Sequence, residues 1–419
     1  MGGAAGHMRH PFDLISVKSG LDLINIFYDL KDLVSQDDGA GLPSVKFDGM
    51  NTSVKVTDQG NLAVDRGSIG IADVEGITSD SVFDRFPKEG HGMRTAIPTV
   101  LNILNAAGIE SELRKLGMHD NHHYFLNVEF APEGTVNATA YDGNYIFIHG
   151  LNAFYEKTYR GVSRQGFQRP LVWNPKKGTD VPTKDKSVEI PYDKQALADL
   201  VKKANKVASE MKPSFKVVGP VDAYVKNEIS YDSVLASNLT IPVSEEYLQS
   251  DPSLRSLQGS TLETWLKSIK NKPAQYWAPV YDKSYKTHEG KQINPYHKNT
   301  YVSVIENGVP VDSIVEDQSV RPLIDGIVML HATRKLGQAF LTGLTSDLGD
   351  MVNVDDAASD HEGVVIRSKE YSKYPFKITG EFIVRGMYGE ISKKMETNEV
   401  KVRLTKRQIN ALIGSLIRF

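Results

Sequence analysis

The stretch Lys46-Phe47-Asp48-Gly49-Met50-Asn51 interrupts a β-strand pattern that spans residues 44–56. Asp-Gly is typical of a turn, so the pattern predicts two short strands joined at Asp48-Gly49. A lysine at a strand end, two positions before an aspartate, can place its amine in a cleft beside a carboxylate. Such an amine becomes a covalent nucleophile when its pKa is lowered. The stretch alone fits an ordinary solvated β-turn better than a catalytic site.

The flanking sequence predicts a mixture of helices and strands. Leu23, Ile24, Phe27 and Leu30 recur at helical spacing behind a possible Ser19 cap, which favours a helix over residues 19–34. Further helices are predicted at residues 95–116 (interrupted by Gly108), 194–211, 254–269, 323–341 and 405–417. Further strands are predicted at residues 61–65, 124–130, 143–148, 362–367 and 375–384, with a hairpin turn at 58–60.

These elements do not alternate regularly along the chain, which argues against a doubly wound parallel sheet. We therefore expect an α+β protein, rich in antiparallel sheet, with an α/β segment inserted in the middle. The length of 419 residues suggests more than one domain.

Composition excludes several classes of protein. The chain has no cysteine, which rules out disulfide scaffolds, thiolate zinc sites and cysteine nucleophiles. Lys and Arg total 49 against 52 Asp and Glu, a net charge of −3, so the protein is not uniformly basic. No apolar run reaches the roughly 20 residues of a membrane span, and we expect no membrane contact. No phosphate-binding loop of the GxxxxGK[ST] type is present.

Five other short motifs follow the lysine stretch in order along the chain. They are Arg66-Gly67-Ser68, Asn127-Val128-Glu129-Phe130, Tyr145-Ile146-Phe147, Glu362-Gly363-Val364-Val365-Ile366-Arg367 and Phe376-Lys377-Ile378. Each has a simpler interpretation by itself. Phe147 suits a strand core, Glu129 and Glu362 suit edge charges, and Arg66 suits a hairpin end.

Taken in this order, the six motifs resemble those of the covalent nucleotidyltransferases: ATP-dependent RNA and DNA ligases and RNA capping enzymes. The resemblance implies an antiparallel-sheet, ATP-grasp-like adenylyltransferase domain, split between residues 8–155 and 320–390. Residues 156–319 would be an inserted substrate-binding segment and residues 391–419 a short C-terminal helical extension. Residues 1–7 (MGGAAGH) are expected to be a cloning remnant.

The resemblance also implies a reaction, in which Lys46 takes AMP from ATP, passes it to a 5′-phosphate, and a 3′-OH then displaces it. It assigns catalysis to Lys46, Asp48, Glu129, Glu362 and Lys377. It assigns nucleotide binding to Val45, Lys46, Asn51, Arg66, Glu129, Phe147, Glu362 and Lys377, with Phe147 stacking on adenine. Mg²⁺ or Mn²⁺ would be held by Glu362 and Glu129, Lys377 would favour the free amine of Lys46, and Asn51 and Arg66 would contact the strand end.

The strings KFDGMN and Glu129-Phe130-Ala131 look most like those of phage RNA ligases, which points to RNA repair. We therefore expect a monomeric RNA ligase in the cytoplasm, or in the host cytoplasm if the protein comes from a phage. An ATP-dependent DNA ligase and a non-catalytic nucleic-acid-binding module with the same fold stay open. One departure is that Pro375 and Thr379 flank Lys377 where the family often has a second lysine.

Two stretches of the middle segment combine basic residues with aromatic ones. Residues 157–186 hold eight basic and two acidic residues, Lys176 and Lys177 among them, and residues 270–301 hold six lysines and two acids. Ammonium groups and aromatic rings suit a nucleic acid strand, although a solvated loop has the same composition. The cluster His119, His122 and His123 is interpreted as loop histidines or, alternatively, a zinc site.

Overall fold

The computed structural model describes about three fifths of the chain. The described residues are 8, 10, 11, 14, 17, 19–35, 43–65, 76–136, 139–159, 162–164, 166–174, 179–182, 186–238, 260–268, 287–288, 291–292, 320–351, 361–367 and 375–380. Arg66, Lys176, Lys177 and the predicted helix at 405–417 lie outside these ranges, as does the whole predicted extension 391–419.

The helices of the described residues are α1 (Gly20–Ser35), α2 (Val82–Arg85), α3 (Met93–Ala106), α4 (Glu110–Lys115), α5 (Lys194–Glu210), α6 (Asp232–Leu235), α7 (Leu262–Ser268) and α8 (Val320–Thr342). The first ten strands are β1 (Ser44–Lys46), β2 (Met50–Val56), β3 (Leu62–Asp65), β4 (Tyr124–Ala131), β5 (Gly134–Val136), β6 (Thr139–Tyr141), β7 (Tyr145–Phe154), β8 (Lys157–Tyr159), β9 (Val162–Arg164) and β10 (Leu171–Asn174). The others are β11 (Thr179–Pro182), β12 (Ser187–Glu189), β13 (Lys216–Val218), β14 (Ala223–Val225), β15 (Thr287–His288), β16 (Lys291–Gln292), β17 (Leu344–Ser346), β18 (Gly349–Asp350), β19 (Gly363–Ile366) and β20 (Phe376–Thr379).

The chain forms two compact units. Unit 1 comprises Met1–Met8, Ser44–Asp222 and Ala358–Glu362, and unit 2 comprises Arg9–Pro43, Ala223–Ala357 and Gly363–Phe419. Segment 187–218, which lies inside the predicted insertion, contributes β12, α5 and β13 to unit 1. The division into a split adenylyltransferase domain and an insertion stays a prediction.

A six-stranded sheet forms the centre of unit 1. Its order is β12, β7, β4, β2, β3, and β13 also pairs with β7. The pairings are antiparallel except that of β13 with β7, which is parallel. The protein is therefore α+β with antiparallel sheets, as the sequence predicts.

The two faces of this sheet differ in chemistry because side chains alternate along each strand. One face presents residues such as Val54, Leu126, Val128 and Ile148, which form a single apolar core with α3, α4 and α5. Alternation directs the intervening residues to the opposite side, here called the polar face: Asn51, Ser53, Lys55, Asp65, Asn127 and Glu129.

Helices predominate in the described part of unit 2. The helix α1 packs against α7 and α8, and the Tyr231 hydroxyl donates a hydrogen bond to the Phe27 carbonyl at 2.9 Å. Beside the helices lie the antiparallel sheet β14-β17-β18 and the antiparallel pair β19-β20.

Most predicted elements are confirmed. The helix predicted at 19–34 is α1, and the Ser19 hydroxyl accepts a hydrogen bond from the Asp22 N–H at 3.2 Å. The break at Gly108 separates α3 from α4, since Gly108 has φ of 60°. The strand predicted at 143–148 was too short, because β7 runs on to Phe154 through a β-bulge.

Candidate active site

A row of three predicted site residues crosses the polar face on the neighbouring strands β2, β4 and β7. Asn51 of β2 lies opposite Glu129 of β4, and Glu129 lies opposite Phe147 of β7. The Asn51 side-chain amide donates a hydrogen bond to Asn127 Oδ1 at 2.6 Å. The antiparallel register thus brings motifs from three separate parts of the sequence onto one surface.

The predicted nucleophile contacts the predicted metal ligand. Lys46, at the end of β1, forms an ion pair with Glu362, 316 positions away in the chain, and donates a hydrogen bond to the Phe47 carbonyl at 3.2 Å. The Glu362 N–H donates to the Lys46 carbonyl at 2.9 Å, so backbone and side chains both join the two motifs. The two side chains are only 16% and 12% exposed.

The pKa of Lys46 reflects two opposing effects. Burial alone lowers it, but the negative charges of Glu362, Glu129 and Asp48 together outweigh burial and hold the pKa above its ordinary value. Lys46 is therefore an ammonium group at neutral pH in this structure. The resemblance predicts a free amine favoured by Lys377, which belongs to unit 2 and lies buried on β20 opposite Val365.

Close packing explains why glycine occupies positions 49 and 363 of the two motifs. A Cβ on Gly49 would lie 3.0 Å from the Phe130 carbonyl oxygen and 3.2 Å from the Glu129 Cβ, so the turn after Lys46 lies close against β4. Gly363 has φ of 141°, and a Cβ there would overlap the Ile378 carbonyl. The glycines at these two positions allow close backbone approach that other residues would block.

Phe147 is fully buried instead of presenting an open ring. Its ring stacks on Phe47 with centroids 3.7 Å apart and an angle of 4°, and Tyr145 lies parallel to it at 5.4 Å. With 1% of its surface exposed, Phe147 would stack on adenine only if Phe47 moved. The adenine-stacking role stays a prediction.

His149 is a neighbour of Glu129 that sequence reasoning missed. The β-bulge in the β4–β7 pairing lies beside it, and its Nε2 is 3.6 Å from Glu129 Oε2. That oxygen is buried and has no hydrogen-bond partner among the described residues. The available signal was alternation, because His149 follows Phe147 by two positions on the same strand.

Tyr141 is a second residue that the motifs did not reveal. Its hydroxyl oxygen accepts a hydrogen bond from the Asp48 N–H at 2.9 Å, and Asp48 itself is buried. No spacing rule connects these residues, which lie 93 positions apart. Only the packing of the β5–β6 hairpin brings them together.

Two further features border the site. Val45 is buried, and its N–H donates to the Val221 carbonyl at 2.7 Å, which fixes β1 by its backbone. Lys55 and Asp65 form an ion pair at 2.9 Å on the polar face with both side chains fully buried. A charged pair is therefore enclosed in unit 1 directly before the predicted Arg66 motif.

The histidine cluster does not converge on one point. His119 contacts Glu110 at 3.1 Å, His122 contacts Asp58 at 3.4 Å, and the ring of His123 packs on Phe167. Within the described ranges, no three histidine, aspartate or glutamate side chains are grouped so that they alone could hold a metal ion.

No family model matches this sequence, and neither the curated proteins nor the solved structures contain a detectable match. In the described part of the chain, no helix has both the length and the apolar character needed to cross a membrane.

Proposed function

We propose that this protein is an ATP-dependent polynucleotide ligase with the nucleotidyltransferase fold, acting on RNA in preference to DNA. The observation that carries the proposal is the contact between Lys46 and Glu362, with Glu129 and Asp48 close enough to affect the same amine. These four residues come from three of the motifs that the resemblance identifies as catalytic. Removing a lysine and several carboxylates partly from water costs free energy, which favours a functional role for this cluster.

In the proposed reaction, Lys46 first loses a proton to water, because positive charge brought to Glu362 and Glu129 would offset the negative charge that holds this proton. The free amine attacks the α-phosphorus of ATP, a P–N bond forms, and the P–O bond to pyrophosphate breaks. A strand 5′-phosphate oxygen then attacks the same phosphorus and releases Lys46. Finally a 3′-OH attacks the activated 5′-phosphate, closes the phosphodiester and releases AMP.

Glu129 and Glu362 fit a magnesium ion whose remaining coordination positions are filled by substrate phosphates and water. Mg²⁺ usually binds one or two carboxylates together with substrate phosphates and water, and needs no cage made wholly of protein. Glu362 and Glu129 supply two carboxylates, and Glu129 Oε2 is a buried oxygen with no hydrogen-bond partner among the described residues. When bound, the ion neutralises charge on the phosphates of ATP.

The same carboxylates govern the proton on Lys46. Their negative charge raises its pKa, so positive charge brought to Glu362 or Glu129 lowers it toward the free amine. Activation of the nucleophile is therefore coupled to occupation of the site.

The decisive experiment is covalent labelling with α-³²P-ATP or α-³²P-GTP and Mg²⁺, followed by a denaturing gel. Prior incubation with pyrophosphate removes AMP already bound during expression. We expect label from ATP on the wild type and on Lys202→Ala, an exposed lysine of α5, and none on Lys46→Ala. Absence of label from both nucleotides would refute the enzymatic function and favour a binding module.

Substrate class is tested separately. Sealing assays on nicked RNA, nicked DNA and single strands compare the RNA ligase with the DNA ligase alternative. Preferential sealing of DNA would keep the lysyl-AMP reaction and overturn the RNA assignment.

A further inference from the structure

Tyr141 lies at the end of β6, in a hairpin that no motif of the proposed function includes. Its side chain is 6% exposed, and its ring centroid is 5.6 Å from Phe147 and 5.7 Å from Tyr145. The ring is thus fixed within the aromatic cluster beside the polar face. Its hydroxyl reaches the turn that carries the predicted nucleophile.

That hydroxyl satisfies a buried backbone group. The Asp48 N–H donates to Tyr141 Oη at 2.9 Å, and Asp48 lies between Lys46 and the closely packed Gly49. A buried N–H without a partner is strongly disfavoured, so the hydroxyl holds the turn in place. Phenylalanine at position 141 would keep the ring and leave this N–H without its acceptor.

Tyr141 also keeps its proton beside three carboxylates. Burial is the main cause that raises the pKa of Tyr141, the Asp48 N–H lowers it, and Glu129, Asp48 and Glu362 raise it further. The phenol is therefore neutral at physiological pH and adds no negative charge next to Lys46. Since its oxygen accepts from Asp48, its O–H is left to donate to another acceptor.

We propose that Tyr141 is a positioning residue, which holds the Lys46–Gly49 turn so that the Lys46 amine is aligned for attack on the α-phosphorus. The proposal rests on the proposed ligase function. In that reaction, Lys46 forms the P–N bond in the first step and leaves in the second. Lys46 has no covalent part in the third step, where the 3′-OH attacks a 5′-phosphate already joined to AMP.

Because Lys46 takes part in lysyl-AMP formation but not in the final sealing step, the two rates can be compared. General destabilisation of the protein would lower both. Tyr141→Phe should slow single-turnover formation of lysyl-AMP at saturating ATP by roughly 10- to 100-fold, the range for a slightly misplaced reacting group. Sealing of a chemically pre-adenylated RNA strand should stay close to the wild-type rate, because that substrate bypasses the lysine. The matched control is Tyr231→Phe, which removes a buried hydroxyl that donates to the Phe27 carbonyl at 2.9 Å in unit 2; neither rate should change in this variant.

Equal losses in both steps would overturn the positioning role, as would a wild-type rate of lysyl-AMP formation in Tyr141→Phe. Absence of lysyl-AMP in the wild type would refute the ligase function itself, which is a different result. A measurement on the wild type needs no variant to fold: hydrogen exchange at the Asp48 amide should be slow. Rapid exchange there would show that the bond to Tyr141 does not hold the turn.

Discussion

Lys46 shows why the environment of a residue matters as much as its identity. Burial favours its neutral form, but Glu362, Glu129 and Asp48 favour the ammonium form and prevail. A lysine nucleophile must react as the neutral amine. The carboxylates therefore hold Lys46 in its ammonium form, and the proposed reaction requires that they be neutralised first.

The variant Glu362→Gln should have a Lys46 whose pKa is lower than in the wild type. Removing one negative charge lowers the pKa of Lys46, and each unit of decrease gives about tenfold more free amine at a pH below the pKa. Carbamylation by cyanate, which requires the free amine, should therefore be faster at Lys46 in the variant. Mass spectrometry of the Lys46 peptide measures the rate.

The control for that experiment is Glu110→Gln, which removes an exposed carboxylate of α4. Its Lys46 should react like the wild type. A rate in Glu362→Gln equal to or below that of the wild type would contradict the ion pair as the main source of the raised pKa.

At the scale of elements, one ion pair joins α4 to α5 on the apolar side of the sheet. Lys203 Nζ lies 2.8 Å from both carboxylate oxygens of Glu112, whose side chain is almost fully buried. The hydrogen bond from Lys203 is the main cause that lowers the pKa of Glu112. Unit 1 therefore depends on a lysine to satisfy a buried carboxylate.

Lys203→Met should lower the free energy of unfolding by about 1–2 kcal/mol near pH 7, because Glu112 loses its partner while Lys203 is itself partly solvated. A group with a depressed pKa stabilises the fold above its unfolded value, about 4.3 for glutamate, and loses that contribution as pH falls. Urea unfolding should thus show a gap between variant and wild type that narrows below about pH 4.

Lys206→Met, at an exposed position of the same helix, provides the control and should change stability little. A gap in Lys203→Met that persists unchanged at acidic pH would mean that packing of the lysine chain, and not its charge, stabilises the helix pair.

At the scale of the whole molecule, the net charge of −3 is an average over unlike segments. Residues 157–186 carry eight basic and two acidic residues, in contrast to the carboxylates around Lys46. In the proposed function, the basic segment would contact the nucleic acid strand and the carboxylates would hold the metal ion.

Replacing Lys176 and Lys177 by alanine should weaken binding of single-stranded RNA. If both contact phosphates, the slope of log affinity against log salt should become less steep by about 1.4, since each contact contributes about 0.7. Fluorescence anisotropy over a salt series measures both quantities.

The matched control replaces two exposed lysines of α5, Lys202 and Lys206, and preserves the same change in net charge. Equal weakening by both pairs would indicate a general charge effect and contradict a strand-binding surface at residues 176–177.

The positions of turns and helix breaks were predicted well from the sequence, because neighbouring residues decide them. The Asp48-Gly49 break, the 58–60 turn and the Gly108 break all appear in the structure, because turn residues and glycine conformations act over a few positions. In α5, tertiary packing decides which apolar residues are buried. Ala196 and Ala208 are buried, while Val201 and Val207 are partly exposed, since the facing helices determine which stripe is covered.

The sequence alone determined the α+β class, the order of the motifs and the candidates Lys46, Glu129 and Glu362. Tertiary structure alone decided that Lys46 meets Glu362, that Tyr141 holds Asp48, and that Phe147 is covered by Phe47. Contacts across 93 or 316 positions depend on sheet register and packing, which no short pattern encodes. The direction of the Lys46 pKa shift likewise follows from a balance between burial and charge, and that balance exists only once the distances are fixed.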